Sequence, residues 1–187
     1  MIMAEIRPLE LDGLLEIIPT RHRDERGFFS EVWREDVLRE AGVETSFVQN
    51  NHSFSVAAGV LRGLHFQDEP AAQDKLVRVV RGSIFDVAVD VRPKSATFGK
   101  WAGLTLSAAL WNQLFVPRGF AHGFVTLEPD TEVLYKVSNA YSPEHERTIR
   151  FDDPQIGIRW PAISGKIIVS DKDRSAPSFA DLFGANR

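Results

Sequence analysis

Ser83-Ile84-Phe85-Asp86-Val87-Ala88-Val89-Asp90-Val91 decides the reading of this chain. Successive residues of a strand point to opposite faces, so Phe85, Val87, Val89 and Val91 form one apolar row. Asp86, Ala88 and Asp90 form the other. Arg81-Gly82-Ser83 is a turn signal feeding this strand, and Val77–Val80 before it completes an expected hairpin. Working outward, strands are expected at Gly103–Ser107, Gln113–Val116, His122–Leu127 and Glu132–Ser138, separated by Asn, Pro, Gly and Asp. Many short strands at close spacing indicate an all-β sandwich or barrel of the jelly-roll kind.

Helices are minor. Ser30 is placed to cap one, Glu31 suits its first turn, Trp33, Val37, Leu38 and Ala41 recur at helical spacing, and Gly42 ends it. The tail after Pro154 reads as irregular, with a short helix at Ser178–Phe183.

The 187 residues predict one domain over positions 1–187, and 43% apolar with 26% charged residues is ordinary for a globular fold. No cysteine is present, which excludes disulfides, thiolate metal sites and thiol catalysis. No apolar stretch reaches the ~18 residues of a membrane span. Met1-Ile-Met-Ala-Glu-Ile-Arg-Pro-Leu-Glu lacks the pattern of a signal peptide, so a cytoplasmic location is expected. The formal net charge of −4 and the absence of an arginine-rich run argue against nucleic acid or an anionic membrane as partner. A small anionic substrate is compatible with it, since a few converging Arg and Lys residues hold one.

Asp86 and Asp90 face either solvent or the polar interior of a barrel that holds a ligand; in the second case His122, after Val116-Pro117-Arg118-Gly119-Phe120, shares that cavity. Of the five histidines, His65 has the most telling neighbourhood. Arg62-Gly63-Leu64-His65-Phe66-Gln67, followed by Lys75, brings two cations and an imidazole into one segment. Nearby positive charge favours the neutral imidazole that a general base requires. A metal site is not expected: the position two after His65 is Gln67, and no second histidine stands at ligand spacing. Tyr135 is either a core aromatic or a phenolic proton donor. Ser170-Asp171-Lys172-Asp173 has the composition of a solvated loop.

Taken in order, these segments resemble the dTDP-4-dehydrorhamnose 3,5-epimerase family, a branch of the cupin superfamily. The resemblance is carried by Asp24-Glu25-Arg26-Gly27-Phe28-Phe29, Phe47-Val48-Gln49-Asn50-Asn51-His52-Ser53 and Leu61-Arg62-Gly63-Leu64-His65-Phe66-Gln67. It continues through Lys75-Leu76-Val77-Arg78-Val79, Phe85–Asp90, Pro117-Arg118-Gly119-Phe120-Ala121-His122-Gly123-Phe124, Leu134-Tyr135-Lys136 and Ser170–Asp173. Metal-binding cupins pair H-x-H…E with a later P-x-G…H; here Pro117-x-Gly119-x-x-His122 is kept and His65-x-Gln67 replaces the first.

The resemblance implies a cupin jelly-roll β-barrel (double-stranded β-helix) that works without cofactor or metal on a dTDP-linked 4-keto-6-deoxyhexose. The family inverts C3 and C5, both acidified by the C4 ketone. By its pattern His65 is the base, Asp173 orients its imidazole, Tyr135 is the opposing donor and Lys75 stabilises the enolate oxygen. Arg62 matches a diphosphate contact, and Tyr141 matches the aromatic that stacks on thymine. Gln49, Asn50, Asn51, His122, Glu31, Glu146 and Lys172 match further ligand contacts. Arg26 matches one that tends to come from the other subunit of a homodimer. Two departures stand out: Asn50 where Asp is frequent, and Phe151-Asp152-Asp153-Pro154 in place of Trp-Asn-Asp. A mono-epimerase of C3 or C5, or a non-catalytic sugar-binding cupin, are the alternative readings.

Overall fold

Residues 4–163 and 165–184 are described in the structure, a computed structural model. Met1–Met3, where the segment read for a signal peptide begins, lie outside the described residues. The chain begins with β1 (Ala4–Pro8), β2 (Leu15–Pro19), β3 (His22–Asp24), β4 (Gly27–Phe29) and α1 (Glu35–Glu40). The central strands are β5 (Gln49–Ser55), β6 (Val60–Gln67), β7 (Lys75–Arg81), β8 (Ser83–Asp90), β9 (Trp101–Ser107), β10 (Gln113–Val116), β11 (Phe120–Thr126) and β12 (Thr131–Val137). β13 (Glu146–Thr148), β14 (Ile168–Val169), α2 (Asp171–Arg174) and α3 (Phe179–Phe183) complete it.

One sheet runs β1-β2-β10-β7-β12-β5 and the other β13-β6-β11-β8-β9, with β14 added beside β6. The central pairings are nested: β5 with β12, β6 with β11, β7 with β10 and β8 with β9, all antiparallel. This is the jelly-roll expected from the strand spacing. It also corrects the expected hairpin, because β7 and β8 lie in different sheets. Gly82 (φ +76°) turns the chain between them, where an added Cβ would collide with Thr131.

Both faces of β8 are covered, because the chain supplies three apolar layers. Ile84 and Ala88 meet Val77, Leu114, Phe124 and Val133 between the sheets. The Val87, Val89, Val91 row faces outward instead, under Ile156 and Phe179 of the tail. The Asp86 side of β8 is therefore the barrel interior, and the solvent-facing alternative falls: Asp86 and Asp90 are both wholly buried. Asp90 is satisfied structurally, accepting from Arg92, Ser95 and Thr97. On the opposite outer face Ile17, Leu76 and Phe115 pack under Leu38 and Val43.

The first helix is shorter than its spacing predicts. It starts after Arg34, whose φ of −150° is extended. Ser30 cannot cap it, since its hydroxyl donates to Thr20 O and accepts from Trp111 Nε1. The expected tail helix is present as α3, with Ser178 as its cap rather than its first residue. Asp153 anchors that helix to the body, its buried carboxylate accepting from the N–H groups of Ile156 and Phe179.

Candidate active site

Strand alternation alone would put Arg62 and His65 on opposite faces of β6, since they stand three positions apart. The register with β11 resolves this. His65 pairs with His122 and Arg62 with Phe124, so β6 carries one residue more than its partner across this interval. That extra residue is a bulge, and it returns Arg62 and His65 to the same face. Glycines permit it: Gly63 has φ +124°, and a Cβ there would lie 2.6 Å from Gly123 Cα. A Cβ on Gly123 would in turn lie 2.7 Å from Arg62 O.

Arg62, His65, His122 and Phe124 form one wall of a cavity of about 460 Å³. Lys75 and Tyr135 come to it from the other sheet, Ser53 from the edge strand β5, and Lys172 and Asp173 from α2. Far from being a solvated loop, Ser170–Asp173 is a capped helical turn that buries Asp173. His65 Nε2 donates to Asp173 Oδ1 at 2.6 Å, and Gly63 N–H donates to Oδ2 at 3.3 Å. With Nε2 engaged this way, the imidazole lone pair is on Nδ1, which has no hydrogen-bond partner among the described residues. Burial acts to raise the Asp173 pKa, but the His65 hydrogen bond and charge, with the Gly63 and Ser170 bonds, bring it below the usual value.

Lys75 is buried, and its Nζ donates to His65 O at 3.1 Å. Burial lowers its pKa to about 8, against the attraction of Asp86 and Glu146, so the ammonium form still prevails at neutral pH. Burial raises the Tyr135 pKa above its usual value despite the opposing charge of Arg62, so the phenol stays protonated. Tyr135 is thus neither a plain core aromatic nor an exposed one: it packs on the inter-sheet cluster and lines the cavity. Arg62 forms no ion pair among the described residues and offers its guanidinium to an anion.

A second chamber of about 290 Å³ adjoins the first and shares His65, Lys75 and Tyr135 with it. Gln49, Asn51, Tyr141 and Glu146 line its outer part. Glu146 Oε2 accepts from Tyr141 OH at 2.7 Å and from Lys172 Nζ at 2.6 Å. Gln49 Oε1 accepts from Tyr141 N–H, while its amide donates to Asn51.

The chain belongs to the dTDP-4-dehydrorhamnose 3,5-epimerase family. The family model of that description matches residues 8–181. The chain is 52% identical over 166 residues to the dTDP-4-dehydrorhamnose 3,5-epimerase of Sinorhizobium fredii, covering 89% of this chain and 85% of that one. It is also similar to the crystal structure of the Bacillus anthracis enzyme with TDP and PPi bound (TM-score 0.90, 45% identity, 94% of this chain and 99% of that). A third similar structure is the Legionella pneumophila epimerase in complex with dTDP-4-keto-L-rhamnose (TM-score 0.89, 43% identity, 94% and 92% covered).

Three residues matched to the family's ligand contacts lie away from both chambers. Arg26 is exposed on the β3–β4 ribbon, ion-paired with Asp24 at 2.6 Å. Glu31 pairs with Arg34 and lines a separate depression beside Trp33. Asn50 points to the other side of β5 from Gln49 and Asn51, into a shallow groove with Trp33 and Lys136. The roles of Ser53 and Gln67 were not read from the sequence, which places Asp86 in a ligand-holding interior only as one of two alternatives. Ser53 has a buried hydroxyl without a partner among the described residues, and it lines the cavity. Asp86 accepts from His122 Nε2 at 2.7 Å. Gln67, at the lost metal-ligand position, donates to Ala71 O and accepts from Ser142 N–H, tying together the loops that precede Lys75 and follow Tyr141. The alternation of β8 was the available signal for Asp86; Ser53 and Gln67 had none.

Proposed function

We propose that this chain inverts C3 and C5 of dTDP-4-dehydro-6-deoxy-D-glucose, giving dTDP-4-dehydro-L-rhamnose, with His65 as base and Tyr135 as the opposing acid. One observation carries this reading. His65 and Tyr135 stand on strands of different sheets and line the same cavity, so a sugar ring between them meets a base on one side and a phenol on the other.

Each inversion begins as His65 Nδ1 takes the proton from a carbon next to the C4 ketone. The electron pair of that C–H bond moves into the enolate, whose negative charge collects on the C4 oxygen. The Lys75 ammonium supplies the compensating charge, an interaction worth about 3 kcal/mol for one well-placed donor. Asp173 supports the imidazolium that results. Tyr135 then gives its phenolic proton to the opposite face of the carbon. Exchange with solvent resets both groups before the second carbon reacts. Arg62 and His122 hold the diphosphate, Tyr141 stacks on thymine, and Gln49, Asn51, Glu146 and Lys172 complete the nucleotide end.

Proton NMR of the enzyme with the 4-keto sugar nucleotide in D₂O tests this. Deuterium at both C3 and C5 with net inversion supports it; deuterium at one carbon assigns a mono-epimerase, and none at either removes the catalytic reading.

The reading includes a homodimer. Arg26 shares its exposed ribbon with Phe28 and Phe29, which is 72% exposed, and a second copy covering that ribbon would bury both rings. Sedimentation of the purified chain reports the stoichiometry.

A further inference from the structure

Asp86 is wholly buried on β8, behind the cavity wall. Its Oδ1 accepts from His122 Nε2, and its Oδ2 is buried without a partner among the described residues. A carboxylate oxygen left so is expensive unless a nearby charge compensates for it. We propose that Asp86 is a positioning residue of this site that serves two cavity groups at once, fixing the His122 ring by a hydrogen bond and holding the Lys75 ammonium charged by its own charge.

The surroundings of Lys75 single out Asp86 for this role. The groups around it are Arg62 and His65 of β6, Asp86 of β8, His122 of β11, Tyr135 of β12, Glu146 of β13, and Lys172 and Asp173 of α2. Arg62 and Lys172 repel an ammonium. Asp173 is committed to His65, and Glu146 to Lys172 and Tyr141. Asp86 alone among these acids keeps a buried oxygen without a partner among the described residues, and its charge favours the Lys75 ammonium against burial. Because Asp86 reaches the reaction only through Lys75 and His122, its removal acts on the charge of Lys75 and on the orientation of the His122 ring.

The inference rests on the proposed role of Lys75, but its test does not. In ligand-free full-length protein carrying ¹³C-labelled lysine, the Lys75 signal is titrated in wild type and in Asp86→Asn, which retains an oxygen acceptor for His122 and removes the charge. The expected result is a Lys75 midpoint lowered by about one pH unit, the size of effect of losing a near opposite charge. With substrate, the alkaline limb of kcat/KM should move down by the same interval. An unchanged midpoint in folded Asp86→Asn overturns the proposal, whatever the activity assays give. If Asp86→Asn does not fold, the double variant Asp86→Asn/Lys75→Met is expected to fold, since neither charge is then left alone. Failure of both variants assigns Asp86 to the fold rather than to Lys75 and overturns the proposal equally.

Discussion

His65 and His122 are direct register partners across the β6–β11 ladder, and each gives its Nε2 to a different buried aspartate, Asp173 at 2.6 Å and Asp86 at 2.7 Å. The family's pattern makes His65 the base and His122 a ligand contact. The cavity holds two His–Asp pairs side by side, and their division of labour is measurable. His65→Asn is expected to slow deuterium wash-in at both carbons by about 10²–10⁴-fold, the usual contribution of a general base. His122→Gln should leave exchange at saturating sugar nucleotide within about tenfold of wild type and raise KM, as loss of a binding contact does. Reversal of that pattern would make His122 the base.

Tyr135→Phe keeps the ring and its packing and removes the proposed donor. The base and its Asp173 partner are untouched, so the enolate still forms. Deuterium exchange is therefore expected to persist while net inversion falls by about 10²-fold or more. Equal losses of exchange and inversion would place Tyr135 at or before deprotonation.

Lys75 couples function to stability, with a sign that can be worked out. Its pKa falls from 10.5 to about 8 on folding. Below pH 8 both folded and unfolded chains carry the proton, and the fold bears the full penalty of a buried charge. Between about 8 and 10.5 the unfolded chain binds more protons than the folded one, so stability gains with rising pH. At ~1.4 kcal/mol per pKa unit, the penalty at neutral pH is of the order of 3 kcal/mol. Lys75→Met should therefore be the less active protein, and its stability relative to wild type should fall as pH rises from 7 to 10, because only wild type gains from deprotonating the buried amine. Urea unfolding of both proteins at pH 7 and pH 10 measures it; a gap that does not change with pH contradicts the assignment.

Gly63 and Gly165 share a φ of +124°, but nothing lies within 4 Å of the Cβ position at Gly165, whereas at Gly63 Gly123 Cα is 2.6 Å away. Alanine at either position meets the same unfavourable positive φ, and only at Gly63 does it also meet the neighbouring strand. Gly63→Ala is expected to be the less stable by a further ~1–3 kcal/mol, the range for overpacking, and to lose activity because Arg62 and His65 shift on the bulge. Thermal melts of the pair decide it.

The strands were legible because their alternation is local, and the sandwich class followed from their number and spacing. Pairing was not. Gly82 between two apolar runs looks the same whether the chain folds back in one sheet or crosses to another. The orientation of β8 was also ambiguous, because the layer that covers Val87 and Val89 comes from Ile156 and Phe179, far along the chain. The helix was overextended because Trp33 matched its spacing, yet Trp33 packs edge-on against Phe47, under the Lys136 ammonium. In the site, His65, Lys75, Tyr135 and Asp173 were named by family resemblance and are brought to one cavity. The side of β5 that Asn50 occupies was readable from its alternation with Gln49 and Asn51, but a motif match treats neighbours alike.

The nested strand pairs have a consequence for how activity emerges during folding. β8 and β9 are separated by a short stretch and meet early, whereas β5 and β12 bracket the whole central segment and must close the longest loop of the four nested pairs. Tyr135 lies on that outermost pair, opposite Asn51, and Asp173 arrives later still in the chain. The inner strands can therefore acquire native packing before acid and base share a cavity. In refolding from denaturant, hydrogen-exchange protection of the β8–β9 amides should precede recovery of turnover, and the interval between them times the closing of the roll.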